Sequence, residues 1–558
     1  MAEEGSGADT RVRANRPTGD IFPELSGTHG SEQRTEHMAL AEAYRVEEPE
    51  EPQPSAVLVV FLLVVTGSTV HWGAFKWHAL LLMMAAAGWA VFVHLRPRFR
   101  VCPADALLLG ALIAFLAMIC CMPAGQAETK VPYLLEWGGW RLPKERVNGF
   151  GMAIHFLASA SLILALTYLV RAWDVQRLAR WRFLALVAMA VACRPLILMS
   201  SPSPKIDVFT SQTAGAKGLL IQVAPRDERE SLVEQYAANA DEARTLRESR
   251  NVYAMVFPSP YWDTARGGPR LDEKGRRAPG AWFDHYGYPP ATVYANALSW
   301  WAFKDVRAGW VLCDLVGALC LYLVACRMSP GDAGRREMVT LCFLFLPRTL
   351  FVLEQSWTEP LIVATMGVFV VLLCRSAHGA WSGTWLGLWL SSKQYVVLAA
   401  PMVLKYRRCK WWVWGIAIAI GAVLIAPFAL WDWNALYHDV LGFFFTSDIR
   451  PDALSLVAAA QRFGHDVPWW VVLPLWCATV AFYTATMRRT LSGMLFSTAS
   501  TWLTFFLLGK QAFMNYWYVI LFVLLMSVAA SRKEYSTCPA EAKPAATPPA
   551  SPAVHGQI

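Results

Sequence analysis

Charged side chains are scarce in this chain. Asp, Glu, Lys and Arg make up 16% of its 558 residues, where a soluble protein carries about one quarter. With 55% hydrophobic residues, that shortage excludes an ordinary soluble domain. Cysteine is missing between Ser201 and Gly287, and the 12 present lie mostly in or beside apolar segments. They show neither a metal-ligand spacing nor a disulfide framework, so they read as small packing residues. The net charge of +8 does not mark a nucleic-acid surface, because its excess sits in short loops between apolar segments. A cleavable signal peptide is not expected either. Residues 1–54 are polar, with "EEPEEPQP" before the first apolar segment, and read as a disordered tail. Residues 532–558, rich in Ala and Pro, read the same way.

What the chain does have is hydrophobic length. Apolar segments near 55–71, 76–95, 104–122, 149–170, 181–200, 308–327, 338–353, 358–374, 411–431, 468–487, 490–508 and 512–531 approach the ~20 residues that a span requires. The 26 Trp suit membrane–water interfaces. The expected fold is an all-α polytopic membrane protein with about 12–14 transmembrane helices. It divides into N-terminal spans (55–200), one large loop with short helices (201–305) and C-terminal spans (306–531).

Basic residues in short loops mark the cytoplasmic side. "RPRFR" (Arg96 to Arg100), "RAWDVQRLARWR" (Arg171 to Arg182), "RMSPGDAGRR", "KYRRCK", Arg488–Arg489 and Arg532 share one side if both tails are cytoplasmic, and the large loop is then outside. The alternation fails once. Arg375 and Lys405 to Lys410 both belong inside, yet only "WSGTWLGLWLSSKQYVVLAAPMVL" lies between them. It is too short for two spans and is interrupted at Ser391, Ser392 and Lys393. A pair of short helices meeting at Lys393 resolves the conflict, since broken helices are tolerated where backbone lines a cavity. In the large loop, "RDERESLVEQYAANADEARTLRESR" reads as a solvated helix. Pro289 and Pro290 suit the first turn of the Trp-rich helix that follows, which is expected to lie at the outer interface.

Ionisable groups near or inside spans are functional candidates. Asp207 emerges just past the outer end of a span. Arg194 lies about 20 Å along the helix from Trp181, in the outer leaflet. Arg348, Glu354 and Glu359 come from "FLFLPRTLFVLEQSWTEPLI", Lys393 from the broken pair, and Lys510 from "LLGKQAFMNYWY". Each residue also fits a plainer role. Asp207 suits a helix start. Arg194, Arg348 and Lys393 suit packing pairs with Glu354 or Glu359. Lys510 suits an interface anchor, and His285, beside Asp284 and Tyr288, suits loop scaffolding.

The order of "SPKIDVFTSQTAGAKGLL", "NVYAMVFPSPY", "YGYPPATVYANALSWWAFKDVR", "LPRTLFVLEQSWTEPL" and "SSKQYVVLAAPMVL" resembles bacterial membrane proteins near glycosyltransferase family 87. That family belongs to the GT-C superfamily, which uses polyprenyl-phosphate sugars. The resemblance covers roughly residues 185–530 and rests on motif order more than on any one motif. It implies a bacterial inner-membrane hexosyltransferase that moves a mannose-like sugar from a polyprenyl phosphate to a lipid or glycan acceptor, with no nucleotide sugar, metal or other cofactor. Asp207 matches the position of the family's catalytic base. Arg194, Arg348, Lys393, Gln394 and Lys510 are then candidates for the donor phosphate. His285, Tyr288, Glu354, Glu359 and Tyr395 are candidates for sugar or acceptor. Two features depart from the pattern: the charged helix lengthens the link after Asp207, and four or five spans precede the acid. The alternative class is a lipid or polyisoprenoid-sugar transporter, although no matching halves are seen.

The basic loops generate a direct test of sidedness. In a background free of native cysteine, Ala238→Cys is expected to react with an impermeant thiol reagent added from outside, and Gly334→Cys is not. The reverse labelling pattern would invert the protein.

Overall fold

The computed structural model describes most residues between 57 and 531. Outside the described residues lie 1–56, 63–74, 97–103, 122–148, 170–175, most of 256–285, 532–558 and several short gaps or single positions. The architecture is that of an all-α polytopic membrane protein. In chain order the helices are α1 (Trp77–Leu95), α2 (Ala104–Cys121), α3 (Gly149–Leu166), α4 (Gln176–Ser200), α5 (Asp207–Val223), α6 (Arg229–Tyr236), α7 (Ala240–Glu248), α8 (Pro290–Phe303), α9 (Val306–Met328) and α10 (Ala333–Leu344). They continue with α11 (Thr349–Glu354), α12 (Glu359–Cys374), α13 (Ala380–Leu390), α14 (Ala400–Lys405), α15 (Trp411–Trp431), α16 (Trp433–Tyr437), α17 (Phe443–Thr446), α18 (Leu456–Arg462), α19 (Trp469–Thr486), α20 (Leu491–Leu507) and α21 (Met514–Ala530). Among the described residues, six helical stretches, within α1, α3, α4, α9, α15 and α19, are long and apolar enough to cross a membrane. α12, α20 and α21 and the apolar part of α2 are shorter apolar helices.

α21 is the axis of the C-terminal bundle. All 17 of its residues are buried, and it packs against α9, α10, α12 and α20. Arg335, from α10, donates through Nη1 to the Ser531 carbonyl at 2.7 Å, placing a cation at the negative end of the α21 dipole. By contrast, the only buried residues of α15 are Val413, Ala417 and Phe428. Its apolar remainder, with Trp411 84% and Leu430 88% exposed, has the character of a lipid-facing surface. α15 packs mainly on α13, which meets it through glycine, and its Phe428 packs on Tyr253 and Tyr294. A Cβ on Gly383 would lie 2.8 Å from the Val413 carbonyl oxygen, and one on Gly387 would lie 2.6 Å from that of Ala417. Small residues at this spacing let helix backbones approach closely in an apolar solvent.

The helix expected over 338–353 is interrupted. α10 ends at Leu344 and α11 begins at Thr349. Arg348 (φ 74°) and Ser356 (φ 60°) bracket α11 in the left-handed region. With Lys304, which ends α8, they are the three described residues other than glycine with positive φ. Such conformations cost about 1–3 kcal/mol each and persist where the surroundings over-determine them. For Ser356 the surroundings are visible. Its hydroxyl donates to Gln212 Oε1 at 2.8 Å, and Trp310 Nε1 donates to its Oγ at 3.2 Å.

The short pair at Lys393 is present. α13 stops at Leu390, Ser391 to Lys393 make the turn, and Gln394–Ala399 form a 3-10 stretch leading into α14. The 11 residues of α13 rise only about 16 Å, so Lys393 sits at the depth of the bundle interior. Loop segment 201–305 carries α5 to α8, together with two-residue antiparallel ladders pairing Phe257–Pro258 with Trp282–Phe283 and Trp262–Asp263 with Gly268–Pro269. Pro290 occupies the first turn of α8, and Leu298, Trp301 and Phe303 on that helix are more than half exposed. Replacing Gly387 by Leu forces a side chain into the α13–α15 contact, and overpacking of this kind costs about 1–3 kcal/mol. Thermal unfolding in detergent is expected to show a lowered melting temperature, and an unchanged one would mean that α15 is not seated on Gly387.

Candidate functional site

The loop segment ends where the chain re-enters the bundle at α9, and that junction fixes Asp207. Arg307, near the start of α9, pairs with Asp305 at 2.7 Å and donates to the carbonyl oxygens of Ser201 at 2.6 Å and Pro202 at 3.4 Å. Its guanidinium also lies over the Phe209 ring, 4.9 Å from the centroid. One buried cation therefore ties the link after α4 to the start of α9. Asp207 is the first residue of α5, and its Oδ1 accepts from the Val208 N–H at 2.9 Å. The helix-start role is thus met, since an acid in the first turn complements the dipole. The carboxylate is only half-buried.

The returning loop folds onto α5. A Cβ on Gly215 would lie 2.7 Å from Tyr286 Cε2, and one on Gly218 would lie 2.8 Å from Met255 Sδ. Tyr253 donates to the Tyr288 carbonyl at 2.8 Å, and Tyr286 N–H donates to buried Asp439 at 2.6 Å. Tyr288 is thereby held with its ring centroid 5.5 Å from Lys393 Nζ. Burial holds its phenol well above the usual pKa, and the charges of Asp207 and then Glu359 add to that shift.

The other half is a buried ion pair. Lys393 Nζ donates to Glu359 Oε1 and, at 3.3 Å, to Thr358 Oγ1. Asn515 Nδ2 donates to the same Glu359 oxygen at 2.7 Å. The ammonium sits 5.5 Å from the ring centroids of both Tyr288 and Tyr516, and Tyr395 packs edge-on to Tyr516 at 5.6 Å. Of the plainer roles open to Lys393, pairing with Glu359 is the one realised.

The remaining candidates separate. Arg194, expected at a phosphate, is held instead by Asp314 at 2.6 Å, with both side chains buried. It also donates to Ala190 O and Leu344 O, while Tyr518 donates to Asp314 at 2.6 Å. This arrangement ties α4, α9, α10 and α21 together. Gln394, also expected at the phosphate, instead clamps the loop, donating to Gly287 O at 3.1 Å and Val440 O at 3.0 Å. Lys510 donates to Phe445 O at 3.3 Å, and none of the hydrogen bonds or ring contacts described for it joins it to the Lys393 pair. Arg348 and Glu354 are buried at the two ends of α11. His285 lies outside the described residues. Among the described residues no group of three or more His, Cys, Asp or Glu side chains is placed to hold a metal ion.

Sequence reasoning passed over Asp314, Arg307, Asn515 and Tyr516. Asp314 carried a usable signal, a lone acid in "WVLCDLVGALC", since an intramembrane acid implies a partner. Asn515 sits in the quoted "LLGKQAFMNYWY", where only the lysine was singled out. Removing one partner of a buried pair costs about 3–5 kcal/mol. Lys393→Met is therefore expected to lower the melting temperature in detergent sharply, and adding Glu359→Gln to recover much of the loss. A Lys393→Met variant as stable as the wild type would show that the pair carries no structural load. Family models, curated proteins and solved structures contain no match to this chain.

Proposed function

We propose that the protein is a membrane glycosyltransferase that moves a mannose-like sugar from a polyprenyl phosphate to a lipid or glycan acceptor on the non-cytoplasmic face of a bacterial inner membrane. The observations that carry this reading are Asp207, a half-buried carboxylate at the start of α5, and a loop that Gln394 ties to the broken helix through the Gly287 carbonyl, with the Tyr288 ring 5.5 Å from the ammonium of the Lys393–Glu359 pair. A half-buried carboxylate at a span end, beside a polar site sunk in an apolar bundle, is where a lipid-borne donor and a water-borne acceptor can meet.

In this mechanism the acceptor hydroxyl gives its proton to the Asp207 carboxylate as its oxygen attacks the anomeric carbon. The bond from that carbon to the phosphate oxygen breaks, and the electron pair leaves with the phosphate. In-line displacement inverts the anomeric configuration. One carboxylate suffices because the phosphate leaves without an acid, unlike the leaving group of a glycosidase. Lys393 is matched by Glu359, and Arg348, buried at the start of α11, stays among the candidates for the phosphate. A lipid-sugar transporter is the second reading, favoured by the broken helix with an ion pair at interior depth.

Purified protein incubated with polyprenyl-phosphate mannose and related lipid sugars separates the two, because only transfer releases polyprenyl phosphate. Asp207→Asn keeps the shape and removes the base, and turnover is expected to fall by about 10²–10⁴-fold with expression and donor binding close to normal. Wild-type turnover in this variant would remove Asp207 from the chemistry.

A further inference from the structure

Resting on the glycosyl-transfer reading, we infer that Glu359, Lys393, Asn515 and Tyr395 form a hydroxyl-recognising subsite that binds the sugar ring, and that Lys393 is not a phosphate ligand. Charge is the first argument. Lys393 and Glu359 are in direct contact and both buried, so together they present no net charge to an anion. The second is the set of polar atoms left without a protein partner there. Glu359 Oε2, Asn515 Oδ1 and the Tyr395 hydroxyl all lack one.

Two of these three groups only accept hydrogen bonds, and the third both donates and accepts. The donor's phosphate, a diester with one negative charge, only accepts hydrogen bonds, so its oxygens would meet the two acceptors with repulsion. A polyhydroxylated ring has donors and acceptors on adjacent carbons and can satisfy all three. Leaving such groups unmet costs more than an average hydrogen bond gains, which gives the site its selectivity for hydroxyls.

The site is closed as it stands: Glu359 is 0% exposed, and Lys393 (7%), Tyr395 (8%), Asn515 (6%) and Tyr516 (7%) are buried with it, so a ring enters only as these side chains move apart. Tyr288 and Tyr516 offer ring faces on either side of the ammonium. Tyr516 is fixed in place by stacking on Phe506 at 4.0 Å, with the ring planes 13° apart. With Tyr516 stacked on Phe506, the Tyr288 ring beside a carboxylate and an amide is the one suited to the apolar C–H face of a sugar ring.

The test is equilibrium binding of octyl mannoside and octyl phosphate to the full-length protein in lipid nanodiscs, read by tryptophan fluorescence. Tyr395→Phe removes one hydroxyl with little risk to folding, and Lys393→Met/Glu359→Gln keeps the site neutral. Each is expected to weaken octyl mannoside by about tenfold, the worth of one hydrogen bond, while octyl phosphate affinity stays unchanged. Loss of octyl phosphate affinity in the double variant, equal loss of both ligands, no change in either, or no octyl mannoside binding by the wild type would each overturn the subsite. The readout is binding, so failure here is distinct from failure of glycosyl transfer. Unaltered octyl mannoside affinity in variants of a protein that still releases polyprenyl phosphate removes the subsite alone.

Discussion

A charge held inside an apolar bundle has to be matched by a partner within reach, because desolvation of an isolated ion is too costly to sustain. Two such matches organise this protein. Arg194 meets Asp314, and Lys393 meets Glu359. Both are completed from the same helix: Tyr518 donates to Asp314 and Asn515 to Glu359. These residues are three positions apart on α21, hence on one face and about 4.5 Å apart along its axis. The rest of α21 is buried by α9, α10, α12 and α20, which pack around it.

The two pairs differ in their surroundings. Around Arg194 and Asp314 the hydrogen bonds go to helix carbonyls and a tyrosine, joining four helices, so the pair serves the architecture. Around Lys393 and Glu359 the neighbours are aromatic faces and polar atoms without protein partners, and the backbone nearby is irregular. α13 gives way to a 3-10 stretch just after Lys393, and α11 is bracketed by two left-handed residues. Irregular backbone at membrane depth survives only where protein or a polar cavity satisfies it.

Asp207 is joined to that region through the loop. Arg307 fixes the link before it, α5 is pressed onto Tyr286 and Met255 through glycines, and Gln394 and Tyr253 hold the Gly287–Tyr288 carbonyls. The glutamine expected at a phosphate therefore acts as a clamp between the broken helix and the loop. It sets the Tyr288 ring against the ammonium of Lys393.

By itself the sequence determined the all-α membrane character, most span positions and the broken pair at Lys393. Hydrophobic length and basic loops act through each segment's own transfer free energy, and this is a local property. The interruption between Leu344 and Thr349 was not legible, because apolar residues run through it and the left-handed turn at Arg348 depends on what packs around it. Nor were the partners of the charges. Arg194 is 120 positions from Asp314, and Asn515 is 156 from Glu359. Glu354 and Glu359 were equally available to Lys393 by composition. Pairing is a match between remote helix faces at a common depth, so only the packing of α21 against α9 and α12 decided which acid meets which base.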